Sequence, residues 1–362
     1  MSGRNERSAA QRALTDDRRE GWVEPGKRAG SEPGASAANT VFGQPWWLDA
    51  VAPGRWGESL VIRGTDVAAR LPFAIKERFG FRLLTQPPLT PFLGPWVRQT
   101  GSKPPQQLEA EKALMSELID QLPRFDAFRQ SFAPTVGNWL PFYWKGFEAT
   151  TRYTYRIEGL SDLDRVWGEF AHGTRRHVLK AQKELSVRTD LGIDVLLALY
   201  QQVYDKQGLS PPVGAALVHR LDQACAARGA RTLLFAVDAK ERVHGAAFIV
   251  HESKQSYLLM SGMDTQLRSS GAISLLVFEA IRRSATVSGA FDFAGSMIES
   301  VERFNRGFGA RQQPYLHVRR TRRPIQPLLA ARDELRGLAV AVRKRSSKWV
   351  ARSSRRAPGP PA

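Results

Sequence analysis

Three short apolar stretches follow one another between residues 232 and 264: TLLFAVD, VHGAAFIVHE and QSYLLMSGMD. Turns built on Asp-Ala-Lys-Glu and Glu-Ser-Lys-Gln separate them. Connections of about two to five residues permit only antiparallel neighbours, because a parallel return needs a crossover of about a dozen residues or more. The run is therefore a β-meander. It is followed by a polar loop, TQLRSSGA, and a helix with Ile273, Leu276, Val277, Ala280 and Ile281 on one face. A strand AFDFAGS, a helix IESVERFNRGFG and a last strand QPYLHVRR complete the pattern. A meander extended by loop-α-β-α-β calls for an α+β fold in which a sheet carries helices, with one helix start placed just beyond a strand end.

The preceding part has a similar grammar. ESLVIRG and VAARLPFAIKERFGFRLLTQ have the β-branched and aromatic content of strands, PPQQLEAEKALMSELIDQL has helical spacing behind its prolines, and FDAFRQSFA and ATTRYTYRIEGL are strand-like again. PWWLDAV, with Pro45 in its first turn, reads as a helix start anchored by Trp46 and Trp47. Helical patterns then occupy LDRVWGEFAHGTRRHVLKAQKEL, IDVLLALYQQVYDKQG and GAALVHRLDQACAARG. These readings divide the 362 residues into an N-terminal tail (1–40), a first subdomain (41–150), a second (151–318) and a basic C-terminal segment (319–362).

Charge is unevenly placed. Of the formal net charge of +18, +11 falls between Arg319 and Ala362, where 13 Lys or Arg face only Asp333 and Glu334. Leu328, Leu335, Val342 and Trp349 recur every seven residues there and Leu338 fills the same face, the pattern of a basic amphipathic helix followed by a disordered end. Such a helix suits an anionic membrane surface, RNA, or a berth on its own globular body. Residues 1–40, rich in Ser, Gly, Ala, Glu and Arg without apolar periodicity, are expected to be disordered. No stretch approaches the roughly 18–20 apolar residues of a membrane span and no apolar leader segment opens the chain, so a cytoplasmic protein, with membrane association through the tail, is expected. The single cysteine, Cys225, allows no internal disulfide, and His177 has no second His or carboxylate at a metal-ligand spacing, so neither a metal nor a covalent thiol intermediate is expected.

The junction at 265–273 is where chemistry is expected. A helix start leaves backbone N–H groups unpaired and carries about half a positive charge, so an anion is held there without a side-chain partner. Ser269, Ser270, Gly271 and Ala272 are small enough for close approach, and Arg268 adds a cation. Read blandly, the same residues are an ordinary N-cap. In FDF, Asp292 takes the face opposite the two phenylalanines at a strand end, which makes it either a reactive carboxylate or a solvated strand residue. Tyr257 is either a proton donor or a packing residue. Arg176, Lys180 and Lys183 share one side of a helix, suited to a phosphorylated or carboxylated ligand or to solvent. The prolines of PPLTPFLGPW fix an extended loop whose Phe92 and Trp96 wall an acceptor cleft or close a core edge.

The strand QSYLLMSGMD, the turn RSSGA and its helix resemble the acyl-CoA transferases of the GNAT superfamily, whose phosphate loop is R/Q-x-x-G-x-G/A. Arg268-Ser-Ser-Gly271 fits it, and Ile273 stands where the last small residue belongs. TQPPLTPFLGPW (85–96), TRRHVLKAQKELSV (174–187) and FDFAGSMIESVERFNRGFGARQQPY (291–315) resemble the FemAB-like branch, in which two GNAT-like subdomains share one chain. That resemblance implies two tandem GNAT-like subdomains, each a mostly antiparallel sheet flanked by helices. It also implies an N-acyltransferase that moves an acyl group from acyl-CoA, for instance acetyl-CoA, to an amine on a sugar, an amino acid or a cell-envelope precursor. The sites implied are Arg268–Ala272 for the cofactor, Asp292 and Tyr257 for catalysis, and Arg176, Lys180, Trp96, Arg303 and Arg306 for the substrate. The F-K-x-x-F pattern of peptidoglycan-bridge transferases is replaced by Phe304-Asn305-Arg306-Gly307-Phe308, where Arg303 or Arg306 would supply the cation. A donor of aminoacyl-tRNA, or a binding protein with a decayed site, are the alternatives.

Overall fold

The computed structural model describes residues 22–23, 37–206, 208–295 and 297–322. Along the chain come β1 (Trp22–Val23), α1 (Pro45–Val51), β2 (Trp56–Arg63), β3 (Asp66–Arg78), β4 (Phe81–Thr85), β5 (Trp96–Val97), α2 (Pro104–Asp120), β6 (Ala127–Ser131), α3 (Leu140–Trp144) and β7 (Glu148–Glu158). The second half holds α4 (Leu163–Glu169), α5 (His172–Glu184), β8 (Leu185–Arg188), α6 (Ile193–Asp205), α7 (Ala215–Ala226), β9 (Arg231–Asp238), β10 (Val243–His251) and β11 (Gln255–Met263). It ends with α8 (Ala272–Ser284), β12 (Ala290–Asp292), α9 (Glu299–Arg306) and β13 (Arg311–Thr321).

All these strands join one mixed sheet in the order β1-β2-β3-β4-β6-β13-β7-β12-β11-β10-β9-β8, with β5 on β3. Each half repeats one plan. The antiparallel run β2-β3-β4 is followed by helix α2 and by β6 parallel to β4, and the antiparallel run β9-β10-β11 by α8 and by β12 parallel to β11. The halves then interleave. β13, the last strand of the second half, lies between β6 and β7, and β7, the last strand of the first half, lies between β13 and β12. The boundary expected after residue 150 falls inside β7.

Alternation along the strands sorts the core into two layers. Phe42, Trp47, Phe73, Phe92, Phe128, Tyr257 and Tyr315 pack on one face with α1, α2, α6 and α7. Tyr155, Phe291, Phe293 and Phe308 pack on the other with α4, α5 and α8. The halves are also tied through side chains, since Glu252 accepts a hydrogen bond from the Val41 N–H (2.8 Å) and Arg220 donates to the Ala50 carbonyl (3.2 Å).

Two expectations are corrected. The helical pattern from Leu163 to Leu185 is broken at Phe170–Ala171 into α4 and α5, and Leu185 already opens β8 against β9. The buried Phe170 side chain packs on Phe278 and Phe308, which turns the chain there. The basic helix expected from residue 319 begins as strand, because Arg319, Arg320 and Thr321 pair with Arg129, Phe128 and Ala127 of β6. Its remainder, from Arg323, lies outside the described residues, as does most of the expected N-terminal tail; Trp22 and Val23 pair with Ser59 and Glu58 of β2.

Helix α6 crosses β11 at Gly262, where a Cβ would lie 2.7 Å from the Tyr200 backbone nitrogen and 3.0 Å from the Leu199 carbonyl carbon. Both obstacles are main chain and cannot rotate away. Gly262→Ala is therefore expected to destabilise the fold by about 1–3 kcal/mol, the usual cost of overpacking, read as a lowered midpoint in denaturant unfolding with an unchanged slope.

Candidate active site

The parallel strands β11 and β12 pair over three residues only, Gln255–Tyr257 against Ala290–Asp292, and then part. β11 continues to Met263 while the chain leaves β12 through Phe293, Ala294 and Gly295. At the parting, Leu259 is an extra residue in β11, since Phe248 opposes Met260 and Ile249 opposes Leu258. Such a bulge re-aims the strand and is common beside active sites. Between the two strands opens a cleft of about 290 Å³, walled by Leu258, Leu259, Phe293, Ala294 and Gly295 and, from the first half, by Pro87, Leu89, Thr90 and Pro91.

The two walls share a backbone feature. Leu89 (φ 52°) and Ala294 (φ 58°) are both left-handed without being glycine, a conformation that costs on the order of 1 kcal/mol or more. Each is held from outside. On the first wall, Trp47 donates its indole N–H to Thr90 Oγ1 (3.0 Å), and the Gln86 side chain spans the Thr90 carbonyl and the Ser131 N–H (2.7 Å to the latter). On the second, the Ala294 N–H donates to Asp292 Oδ1 (2.7 Å).

Asp292 has no exposed surface. Its Oδ1 also accepts from the Thr154 hydroxyl (2.6 Å), while Oδ2 has no hydrogen-bond partner among the described residues. Burial drives its carboxyl up to about 6, against the opposing pull of Thr154, the Ala294 N–H and Arg156. A carboxyl that titrates near neutrality beside a cleft is suited to proton transfer. Phe291 and Phe293 do share the opposite face of the sheet.

The turn before α8 is compact. Residues 268–270 make one 3-10 turn, Gly271 is left-handed (φ 81°) and α8 begins at Ala272. Arg268 and Ser269 are exposed, while Ser270 and Ala272 are buried and Ser270 Oγ accepts from the Ala272 N–H (3.3 Å). Lys180 of α5 reaches the Ser269 carbonyl (3.4 Å). Gly271 has a reason the sequence did not show: a Cβ there would lie 2.7 Å from the His177 carbonyl oxygen. It lets α8 start against α5.

The other candidate residues are scattered. Tyr257 is fully buried among Phe42 and Phe92, its hydroxyl donating to Glu252 (2.8 Å), and burial holds its phenol well above its ordinary value; it packs and ties rather than facing the cleft. Trp96 sits in β5 opposite Arg70 and is not among the cleft-lining residues, whereas Phe92 is buried in the core. Arg303 and Arg306 are exposed and spent on Glu299 (3.0 Å) and Glu302 (2.9 Å) of their own helix. Gly307 and Gly309 of the same motif serve packing, since a Cβ would meet Thr174 Oγ1 at 2.6 Å and the Glu169 carbonyl oxygen at 2.8 Å. Arg176 and Lys180 are exposed on α5, next to the turn at 268–270. Cys225 is buried and its thiol is pushed up to about 12, away from any nucleophilic role. Thr154, Leu89 and Ala294 were not anticipated; neither Leu nor Ala signals a left-handed backbone, and Thr154 stands 138 residues from the carboxylate it serves. No group of His, Cys, Asp or Glu suited to a metal occurs among the described residues.

Residues 169–297 match the family described as Acetyltransferase (GNAT) domain. Over this segment the chain is similar to that family. The segment contains α5, the turn at 268–272, the β11–β12 parting and Asp292. The fold of the whole chain is similar to the crystal structure of FemX (TM-score 0.58, 12% identity, covering 77% of this chain and 92% of that one). It is also similar to a conserved protein of unknown function from Bacteroides thetaiotaomicron (TM-score 0.50, 11% identity, 76% and 88% covered). No curated protein matches the chain. The plan of meander, helix and parallel strand occurs twice, and the helix starts differ: α2, the counterpart of α8, begins with Pro104 and Pro105, which lack two backbone N–H donors.

A raised carboxyl has a stability consequence. Asp292 binds its proton more tightly in the folded chain than in the unfolded one, so its contribution is complete below about pH 4 and is lost as pH rises through about 6. Asp292→Asn removes that titration while keeping an Oδ1 acceptor for Thr154 and Ala294. Thermal melts from pH 4 to 8 are expected to show the variant gaining on the parent above pH 6, by at most about 3 kcal/mol.

Proposed function

We propose that the chain is an N-acyltransferase that takes its acyl group from acyl-CoA and delivers it to a primary amine. The observation that carries this reading is the parting of β11 and β12 around the 290 Å³ cleft, within the GNAT-like segment and one turn of chain from the Gly271 helix start. The donor's pyrophosphate would lie on the N–H groups of α8 beside Ser269, with Lys180 and Arg268 as flanking cations. Its pantetheine arm would run along the edge of β11 that β12 abandons after Tyr257, where backbone N–H and C=O groups lack a strand neighbour on that side. The thioester would then reach the cleft.

In the cleft the acceptor amine must be neutral to attack. Asp292, buried one residue before the cleft wall Phe293, is the proton acceptor in this reading, because its Oδ2 is unpartnered among the described residues and its carboxyl titrates near 6. The amine nitrogen bonds to the acyl carbon, the C–S bond breaks, the amine proton passes to Asp292 and the thiolate leaves to be protonated by solvent. The cleft walls Leu258, Leu259 and Phe293 offer an apolar surface to the thioester. Acceptors with an amine on a sugar, an amino acid or an envelope precursor fit this scheme. The rival donor, aminoacyl-tRNA, is favoured only by the exposed cations Arg176, Lys180 and Lys183 of α5, for which no carboxylate partner is found among the described residues.

Calorimetric titration of acetyl-CoA and CoA into the full chain is the test. Micromolar binding is expected, weakened at least about tenfold in Ser269→Glu with an unchanged melting point, since two exposed-site charges of like sign repel. Glutamate at Gly271 would be a poor probe, because it would force α5 from α8. No binding of either ligand would abandon the acyl-CoA reading and put charged tRNA first. With an acceptor in hand, kcat/KM is expected to rise through about pH 6, and Asp292→Asn to lose that limb and about 10²-fold in rate. A variant that keeps the limb would make Asp292 a positioning residue for Ala294.

A further inference from the structure

Five adjacent strands share one end of the sheet. β3 finishes at Arg78 opposite Phe81, where β4 begins; Leu83 lies level with Ala127, where β6 begins; Ala127 opposes Thr321, where β13 finishes; and Arg319 opposes Glu148, where β7 begins. Helix α3 ends four residues before β7 and so sits at the same end. This end contains neither the cleft nor the turn at 268–272.

Its side chains are of an unusual kind for a surface. Phe79 is 77% exposed, Tyr143 and Trp144 are each 60% exposed, and Leu140 is 45% exposed. Phe79 and Gly80 form a two-residue hairpin loop with both φ angles positive (53° and 77°). Asn-Gly is the usual choice for such a loop, and a phenylalanine there is strained as well as exposed. The fold gains nothing from its ring, which touches only the Arg78 guanidinium at 5.0 Å among the described aromatic contacts.

Between the hairpin and β6 runs an open groove of about 530 Å³, lined by Arg78, Phe79, Arg82, Arg124, Phe125 and Arg322 and by two acids, Glu77 and Asp126. The acids are engaged: Asp126 accepts from the Arg82 N–H (2.9 Å) and stands 3.9 Å from Arg322, and Glu77 stands 3.6 Å from Arg82. The Arg320 guanidinium lies over Phe125 (6.0 Å) and Phe147 (5.3 Å), which joins the groove to the end of α3. Arg322, the last described residue, lines this groove, and the sequence of the forty residues after it adds ten Lys or Arg against two acids.

We infer that this end of the sheet, from the Phe79 hairpin across the arginine groove to Tyr143 and Trp144, is a docking surface for an anionic lipid bilayer. Aromatic and aliphatic side chains set among arginines are what an interface demands, the rings entering the headgroup region while the cations meet lipid phosphates. Both parts are needed, since scattered apolar groups alone bind weakly and cations alone stay outside. The geometry leaves the transferase site clear. Tyr315, whose hydroxyl oxygen lies 3.1 Å from where a Gly295 Cβ would be, is seven residues back along β13 from Arg322, about 23 Å at roughly 3.3 Å per residue.

The test is co-sedimentation of the full chain with vesicles of phosphatidylcholine alone and of phosphatidylcholine mixed with phosphatidylglycerol. Binding is expected to the mixed vesicles only, to weaken with salt, and to fall about tenfold or more in Phe79→Gly/Trp144→Ser although every basic residue is retained. Both positions are exposed, and glycine suits the left-handed hairpin, so the variant is expected to melt no lower than the parent. A second variant, Arg78→Glu/Arg322→Glu, is expected to abolish binding independently. The inference is overturned if the parent ignores the mixed vesicles, or if both variants bind them as the parent does. It is equally overturned if single-stranded RNA displaces the vesicles and binds the Phe79→Gly/Trp144→Ser variant as tightly as the parent, which would assign the face to nucleic acid.

Discussion

The interleaving of β7 and β13 is the constraint on which the rest of the molecule depends. Within the sheet, the two halves meet along three seams: β13 against β6 over five residue pairs, β13 against β7 over nine, and β7 against β12 over three. Neither half can therefore complete its own sheet. The first half needs a strand made some 180 residues later, and the second half borrows β7 to cover the edge of β12. Contacts of such sequence separation must pay loop closure before they return any pairing, so the joined sheet is expected to form late in folding. The functional result is that the cleft is rigidly bipartite: its walls at Pro87–Pro91 and at Phe293–Gly295 belong to different halves and are held in register by the exchanged strands.

The two halves follow one plan to different ends. Both halves run an antiparallel meander, a helix and a parallel strand, but the helix starts differ. Gly271 brings α8 against the His177 carbonyl, with the Ala272 N–H donating to Ser270 Oγ, while Pro104 and Pro105 remove donors from the start of α2. The first half has become a wall and a platform. Its loop from Gln86 to Pro91 is fixed by Trp47 and by Gln86 itself, and its hairpin at Phe79 points its chemistry to the far end of the sheet.

Much of this order was legible in the residues. Short Asp- and Ser-containing turns forced β9, β10 and β11 to be antiparallel neighbours, the apolar face of α8 was plain, and FDF correctly divided Asp292 from its phenylalanines. The illegible parts were those set by distant partners. Nothing in Gly271 announces His177, nothing in Leu89 or Ala294 announces a positive φ, and no local pattern says that β13 will enter between β6 and β7 rather than extend an edge. Arg303 and Arg306 misled for the converse reason: a basic motif on an exposed helix looks like a ligand site until its own glutamates, one turn away, are seen to take it.

The same logic explains why strain collects where it does. A left-handed Leu89 or Ala294 persists only if neighbours over-determine it, and the hydrogen bonds that do so are also those that shape the cleft. Asp292 is central to this arrangement, because one oxygen accepts from both Thr154 and Ala294 and the other has no partner among the described residues. A carboxyl wholly committed to structure would pair both oxygens, and one wholly committed to solvent would not be buried. Asp292 does neither. The buried, half-satisfied group is costly to the fold, and it sits at the fork of β11 and β12, one residue before the cleft wall Phe293.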